Sequence, residues 1–303
     1  MRVAFCGTAD FSVPSLCALV DAGHDVAAVV TQPDRPGDRG RPAPRPVADA
    51  AVQLGLPVQQ PPRIRAPEAV EALTSLGLDS LVVAAYGQII PVVLLDAPRL
   101  GGINVHASLL PRHRGAAPVA AAILAGDPQT GVSIMRMEAG LDTGPVWEMR
   151  TTPIGSRDTT PALTERLAAT GAELLIDVLA RLEREPSWAP QPQDESQATY
   201  APRLTREDGR VDWRSSSAVD VDRRVRALQP WPGVTAAIAG LDVRILEGSV
   251  IAMHAGSTPP GEVVAVVDGA ADVATADGVY RVERLQPAGK RVMEAAAYLR
   301  GRR

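Results

Sequence analysis

Lysine is almost missing from this chain. Lys290 is the only one, and arginine carries nearly all of the positive charge. The bias runs through the whole sequence, so the number of arginines says little and their clustering says more. Cysteine is equally scarce: Cys6 falls on an expected strand and Cys17 on the helix after it, giving neither a disulfide framework nor metal-ligand spacing. Both read as small buried side chains. No apolar run approaches the roughly 20 residues that a membrane span needs. Asp10 interrupts the apolar start before a signal-peptide core can form, so a soluble protein of the cytoplasm with no membrane partner is expected. The formal net charge of −4 excludes a general affinity for polyanions, and any nucleic-acid site must be local.

What is present is length and a change of grammar along it. A chain of 303 residues is too long for one ordinary core and suits two domains. Up to about residue 185, the β-branched runs "RVAFCG", "DVAAVVT", "SLVVAAYG" and "GINVHA" alternate with helical patterns such as "SVPSLCALVDAG" and "APEAVEALTSLG". Near-continuous apolar strands taking turns with helices indicate an α/β fold with a mostly parallel sheet and helices on both faces. In such a sheet ligands sit beyond the carboxyl ends of the strands. The segment 160–184 has apolar residues at spacings of three and four and closes this unit as one long helix.

A polar, Pro- and Gln-rich strip without periodicity follows. We expect a catalytic domain over 1–187, a linker over 188–207 and a second domain over 208–303. In the second domain alternating strands are broken at Gly240-Leu241-Asp242, Asp268-Gly269 and Asp277-Gly278, which predicts a small antiparallel barrel. The first loop, "GTADFSVPSL", lacks the second and third glycines of a dinucleotide fingerprint and reads as a strand-to-helix turn, with Ser12 as cap and Pro14 in the first turn.

The segment "GINVHASLLPRHRGAAP" sets Asn104 and His106 two apart on an expected strand end, hence on one face. A carboxamide offers two N–H donors without titrating, and an imidazole takes or gives a proton near neutral pH. The pair suits acyl transfer: Asn104 to hold the oxygen of a tetrahedral intermediate, His106 to relay a proton. Asp142, in the Gly-flanked "AGLDTGPV", is the candidate to orient the imidazole. On polarity alone an alternative stays open, in which His106 satisfies its own strand end and Asp142 caps a turn. His24 and His254 fall in turns, and no histidine pair has metal spacing, so no metal is expected.

"NVHASLLP" with "GLDTG" downstream resembles the family of formyltransferases that use 10-formyltetrahydrofolate. The flanking "RGAAP" narrows the resemblance to its methionyl-tRNA formyltransferase branch. Similarity extends over nearly the whole chain, through "FCGTADFSVPSL", "TQPDRPGDRGR", "AAYGQIIP", "GAAPVAAAILAGDPQTGVSIMRMEAGLDTG" and "ALQPWPG". The resemblance implies a Rossmann-like catalytic domain followed by an OB-like barrel that binds tRNA. It implies transfer of a formyl group from the folate to the amino group of methionine on charged initiator tRNA. Asn104, His106 and Asp142 match the family's catalytic positions; Gln88, Ile89, Ile90, Ser108, Leu109, Leu110 and Pro111 match its folate-binding ones. A monomer is expected.

The Pro- and Gly-rich stretch holding Arg35, Arg39, Arg41 and Arg45 is, by the same resemblance, the loop that enters the acceptor stem, with Arg39, Arg41 and Arg45 as the tRNA-binding candidates. This chain departs from the family pattern there, having "GRPAPRP" where a further basic pair is usual, and it carries His113 where relatives carry Trp. The basic C-terminal tail and the barrel suit tracking of phosphates. The rival readings are a folate-dependent formyltransferase acting on a small amine (a glycinamide nucleotide or an amino sugar), a formyl-folate hydrolase or sensor, and a non-enzymatic RNA-binding protein. The second domain and the arginine loop weigh against the first, since a small acceptor needs neither.

Overall fold

The computed structural model describes residues 1–34, 36–37, 43–251 and 254–301. Arg35, Arg39 and Arg41 therefore lie outside the described residues. Two compact units divide the chain. The first comprises Met1–Pro118, Gln129–Pro153 and Thr164–Ala201; the second comprises Val119–Pro128, Ile154–Leu163 and Pro202–Arg303.

In chain order the elements are β1 (Arg2–Gly7), α1 (Val13–Asp21), β2 (Asp25–Val30), α2 (Pro46–Gln53), β3 (Val58–Gln59), α3 (Pro67–Thr74), β4 (Ser80–Ala84), α4 (Val92–Asp96), β5 (Gly102–His106), β6 (Arg114–Gly115), α5 (Pro118–Ala125), β7 (Gln129–Arg136), β8 (Val146–Pro153), α6 (Thr160–Arg184) and β9 (Tyr200–Ala201). They are followed by α7 (Ala218–Ala227), β10 (Val234–Ile238), β11 (Leu241–Ile251), β12 (Val263–Val267), β13 (Ala270–Ala274), β14 (Val279–Pro287), β15 (Met293–Glu294) and α8 (Ala295–Arg300).

The first unit holds a seven-stranded sheet in the order β3-β2-β1-β4-β5-β7-β8. Strands β3 to β5 run parallel, and β7 and β8 are antiparallel additions. The apolar runs of β1, β4 and β5 are buried almost throughout, as expected of strands covered on both faces. Strand order reverses between β1 and β4, which opens a crevice at their carboxyl ends. Three bonds fix its floor: Ser12 Oγ donates to the Ala84 carbonyl at 2.6 Å, and Thr8 Oγ1 and Gln32 Nε2 both donate to the Tyr86 carbonyl at 2.9 Å. Ser12 thus does not cap α1 with its hydroxyl. A short 3-10 turn over Asp10–Ser12 already gives it helical backbone angles, so the hydroxyl reaches across to β4 instead.

Helix α6 spans the whole length read from its periodicity, and Leu167, Leu175, Leu179 and Leu182 form its buried stripe. Truncating one such leucine to alanine typically costs about 2–5 kcal/mol. Gly171 lies in the same stripe. A β-carbon there would run into Val105 of β5 and Val132 of β7, so a glycine is what lets the helix lie this close to the sheet.

The second unit carries an antiparallel sheet in the order β10-β11-β14-β13-β12, with β15 also paired to β14. Its long strand β11 shifts register against β14 around Glu247, the kind of bulge by which small barrels bend their strands. Mostly parallel α/β sheet and separate antiparallel barrel-type sheet are the two architectures that the change of grammar along the chain predicted. Among the described residues no helix is long and apolar enough to cross a membrane.

Candidate active site

Strand β5 is flanked by β4 on one side and β7 on the other, and all five of its residues are buried. Val105 faces Gly171 of α6, so alternation turns Asn104 and His106 to the opposite face of the sheet. Both are nearly enclosed, at 9% and 6% exposure. Among the described residues no protein group hydrogen-bonds the Asn104 carboxamide, whose two donors are therefore available to a ligand.

His106 is held from both ends of its ring. Nε2 stands 3.0 Å from the carbonyl oxygen of His113. A carbonyl only accepts, so this contact is a hydrogen bond when Nε2 carries the proton, and Nδ1 is left to face Asp142. The Nδ1 to Oδ2 separation is 3.7 Å, close enough for charge and too long for a direct hydrogen bond. His113 itself adopts the left-handed region (φ 58°), and its N–H donates to Thr199 Oγ1 at 2.8 Å. Its bond to His106 is made by the main-chain carbonyl and not by the imidazole.

Asp142 also has a left-handed backbone (φ 53°), a conformation that aspartate tolerates better than most residues. Its Oδ2 accepts the Gly115 N–H at 2.8 Å. Gly144, two residues on, packs against the Arg136 carbonyl so closely that a β-carbon has no room. The structure therefore brings Asn104, His106 and Asp142 to one side of β5, although Asp142 is 36 positions from His106 in sequence.

The expected folate residues divide by role. Ser108 Oγ donates to the Arg112 carbonyl at 2.6 Å, closing the turn that carries Leu109, Leu110 and Pro111. Leu110 is buried with Met135 and Val146, and Ile90 lies in the main core with Leu81 and Leu94. The side chains of these two therefore belong to the core. Ile89, by contrast, is 91% exposed. Gln88 accepts the Ile64 N–H at 2.8 Å, which fixes the segment bearing Arg63 and Arg65. Gln88 and Ile89, with Gln32, Pro33, Arg63 and Arg65, line a cavity of about 550 Å³ at the carboxyl ends of β2 and β4. That volume lies within the range of small-molecule sites.

Arg45, of the tRNA candidates, is exposed and bridges Asp34 at 2.8 Å and Asp49 at 2.9 Å. The two carboxylates beside it push its pKa up, while Gln60 and Arg45 hold the Asp34 carboxyl below its usual range. Cys6 is buried, and burial pushes its thiol up and makes it inert; Cys17 is half-buried, and both are free thiols. Among the described residues no group of three His, Cys, Asp or Glu side chains is placed to hold a metal ion.

Several residues that shape the site went unnoticed in the sequence. Ser133, directly opposite His106 on β7, donates to the Ser108 carbonyl at 2.7 Å and accepts the Leu110 N–H at 3.1 Å, tying the "SLLP" turn beside the imidazole. A lone serine within the apolar "GVSIM" was the available signal. Thr199, Gln193 and Glu195, from the strip read as linker, act from within the first unit. Gln193 Nε2 donates to the carbonyls of Asp142 (2.8 Å) and Gly144 (2.6 Å). Arg114, fully buried, makes a two-pronged pair with Glu195 at 2.9 and 2.6 Å.

An α/β sheet that presents an unengaged carboxamide and a carboxylate-backed imidazole on one strand, with a ligand-sized cavity at the carboxyl ends of β2 and β4, defines a class, the acyl-transferring enzymes. The formyl transferase model matches residues 1–179, and the model of that enzyme's C-terminal domain matches 203–303. The chain accordingly belongs to the formyl transferase family. It is 49% identical over 302 residues to a methionyl-tRNA formyltransferase of Ruegeria pomeroyi, covering 99% of this chain and 97% of that one. Identity to the methionyl-tRNA formyltransferase of Methylococcus capsulatus is 47% over 300 residues, covering 99% and 96%. Among solved structures, HypX from Aquifex aeolicus in complex with tetrahydrofolic acid superposes with a TM-score of 0.67 at 21% identity. The match covers 99% of this chain and 47% of that chain, and at such identity the likeness is one of fold.

Proposed function

We propose that this enzyme transfers the formyl group of 10-formyltetrahydrofolate to the amino group of methionine on charged initiator tRNA. The observation that carries the reading is the Asn104, His106 and Asp142 constellation on a chain nearly half identical, end to end, to enzymes named for methionyl-tRNA formylation. The residues fit a folate donor. The crevice at β2 and β4 has an apolar wall in Ile89, against which a pteridine face can pack, and Ser133 fixes the turn of Ser108, Leu109, Leu110 and Pro111 beside His106.

The donor supplies an activated formyl group. Asn104 directs its free N–H groups at the oxygen that becomes negative as the amine attacks the formyl carbon. His106, in its protonated form, shares that charge; the Nδ1 proton, which faces Asp142 without a hydrogen bond, passes to the departing folate nitrogen as the C–N bond breaks, and the proton that the attacking amine releases returns to the ring. Asp142 stabilises the imidazolium and keeps the ring oriented. For the tRNA, Arg39, Arg41 and Arg45 of the loop, with the barrel and the basic tail, supply phosphate contacts. Arg45 is already engaged by Asp34 and Asp49, so Arg39 and Arg41 are assigned the larger share.

Solved structures named for sugar N-formyl transfer match 95–96% of this chain, so the second unit does not tell the acceptors apart; what favours the tRNA is identity of 49% to an enzyme named for methionyl-tRNA formylation against 15–16% to those structures. The test is transfer of labelled formyl from 10-formyltetrahydrofolate to initiator methionyl-tRNA, run beside elongator methionyl-tRNA and glycinamide ribonucleotide. Strong labelling of the initiator alone is expected. Labelling of the nucleotide, or free formate without a labelled acceptor, overturns the tRNA assignment.

A further inference from the structure

The catalytic aspartate sits on a turn that has little to hold it. Gly140 and Gly144 flank "LDT", and Asp142 itself stands in the left-handed region, so the local chain favours no single conformation. Rigidity has to come from outside the turn.

It comes from Gln193. The carboxamide uses all four of its hydrogen-bonding positions, an unusual degree of satisfaction for a half-buried side chain. Oε1 accepts from Arg114 Nε at 3.1 Å and Nη2 at 2.8 Å. Nε2 donates to the Asp142 carbonyl at 2.8 Å and the Gly144 carbonyl at 2.6 Å. Arg114 is in turn immobilised: it is fully buried, Glu195 clamps it bidentately, and its backbone N–H donates to the Thr199 carbonyl at 2.9 Å. Its neighbour Gly115 binds the Asp142 carboxylate. Gln193, anchored by Arg114 of β6, thus grips the turn at its main chain, and Gly115 of β6 grips it at its side chain.

We propose that Gln193 is a positioning residue for formyl transfer, fixing the Asp142 turn so that the carboxylate stands against His106. The proposal rests on the catalytic reading of Asp142 given above. It gives the polar strip after α6 a task in the chemistry: a side chain outside the N-terminal catalytic sequence motifs sets the geometry of the general acid–base pair.

The test uses the full chain, 10-formyltetrahydrofolate and charged initiator methionyl-tRNA. Gln193→Ala removes every bond of the carboxamide. Gln193→Glu keeps an acceptor for Arg114 but cannot donate to the two carbonyls, so it separates the turn from the anchor. Both variants are expected to lose about 10- to 100-fold in kcat, the scale of a small misplacement of a catalytic group. KM for each substrate should stay within about 2-fold, since uniform binding is untouched. Combined with Asp142→Asn, Gln193→Ala should add nothing, because two residues acting through one contact are not additive. A purely structural role would instead move the melting temperature in both Gln193 variants and multiply with Asp142→Asn. That result, or unchanged kcat in Gln193→Glu, overturns the proposal while leaving the catalytic reading intact. Normal turnover in Asp142→Asn alone removes both.

Discussion

Replacing Asp142 by asparagine keeps the shape of the side chain and its acceptor for the Gly115 N–H while deleting one charge 3.7 Å from His106 Nδ1. With an effective dielectric of ~20, two unit charges at that separation interact by about 4 kcal/mol. The carboxylate acts on the reaction only while the imidazole is positive, so most of this energy belongs to the transition state and little to the ground state. Asparagine's dipole and rearranged water recover part of it. A net loss of about 3 kcal/mol remains, or ~10²-fold in kcat at 1.36 kcal/mol per decade. Side-chain exposure of 7% and 13% keeps mobile ions away from the pair, so the loss should change little with salt. The assay is steady-state formylation of charged initiator tRNA at two ionic strengths, with the melting temperature as a control for folding. Turnover within about 3-fold of the parent, at an unchanged melting temperature, would refute the reasoning, because a charge so close and so enclosed could not be without effect if His106 became positive.

Glu195→Ala leaves the buried Arg114 guanidinium with Gln193 but without a carboxylate, and a lower urea midpoint is expected, moderated because Glu195 itself reaches solvent. Arg114 holds the Glu195 carboxyl below the usual carboxylate range, so this stabilisation is complete above that range and is lost as pH falls through the depressed value; the melting temperature should be flat from neutrality down to the carboxylate range and fall below it, and it should fall less in Glu195→Ala. Gly144→Ala drives a methyl group into the Arg136 carbonyl; a cost of about 1–3 kcal/mol and a drop in kcat are expected, whereas an unaffected enzyme would mean that the turn has slack. Affinity for initiator tRNA should fall at least ~10-fold between 50 and 200 mM salt if several phosphates are contacted, and a flat salt response would exclude a phosphate-tracking surface.

The site was legible in the sequence to unequal degrees. Asn104 and His106 share a strand, so a spacing of two was enough to place them on one face. Asp142 could be named from its glycines and from family resemblance, but its approach to His106 depends on β7 returning antiparallel to β5. The expected folate segment reads only as a stretch in the sequence, since alternation does not reveal that Ile89 faces solvent while Ile90 belongs to the core. Ser12 reads as a capping side chain in the sequence because the preceding 3-10 turn leaves no mark in composition. Residues 188–207 read as a linker because they have no periodicity, yet Gln193, Glu195 and Thr199 each hold something essential to the geometry of the first unit.

By itself, then, the sequence determined the two architectures, the long helix of 160–184 and the strand that carries Asn104 and His106. Those features rest on local periodicity and burial, which are written into neighbouring residues. The tertiary structure alone decided how Asp142 meets His106, how Ser133 ties the "SLLP" turn, and how a glutamine some fifty positions downstream grips the turn of Asp142. Such contacts join residues far apart in the chain. Their strength comes from single directional hydrogen bonds in buried surroundings, and these leave no repeating pattern along a sequence.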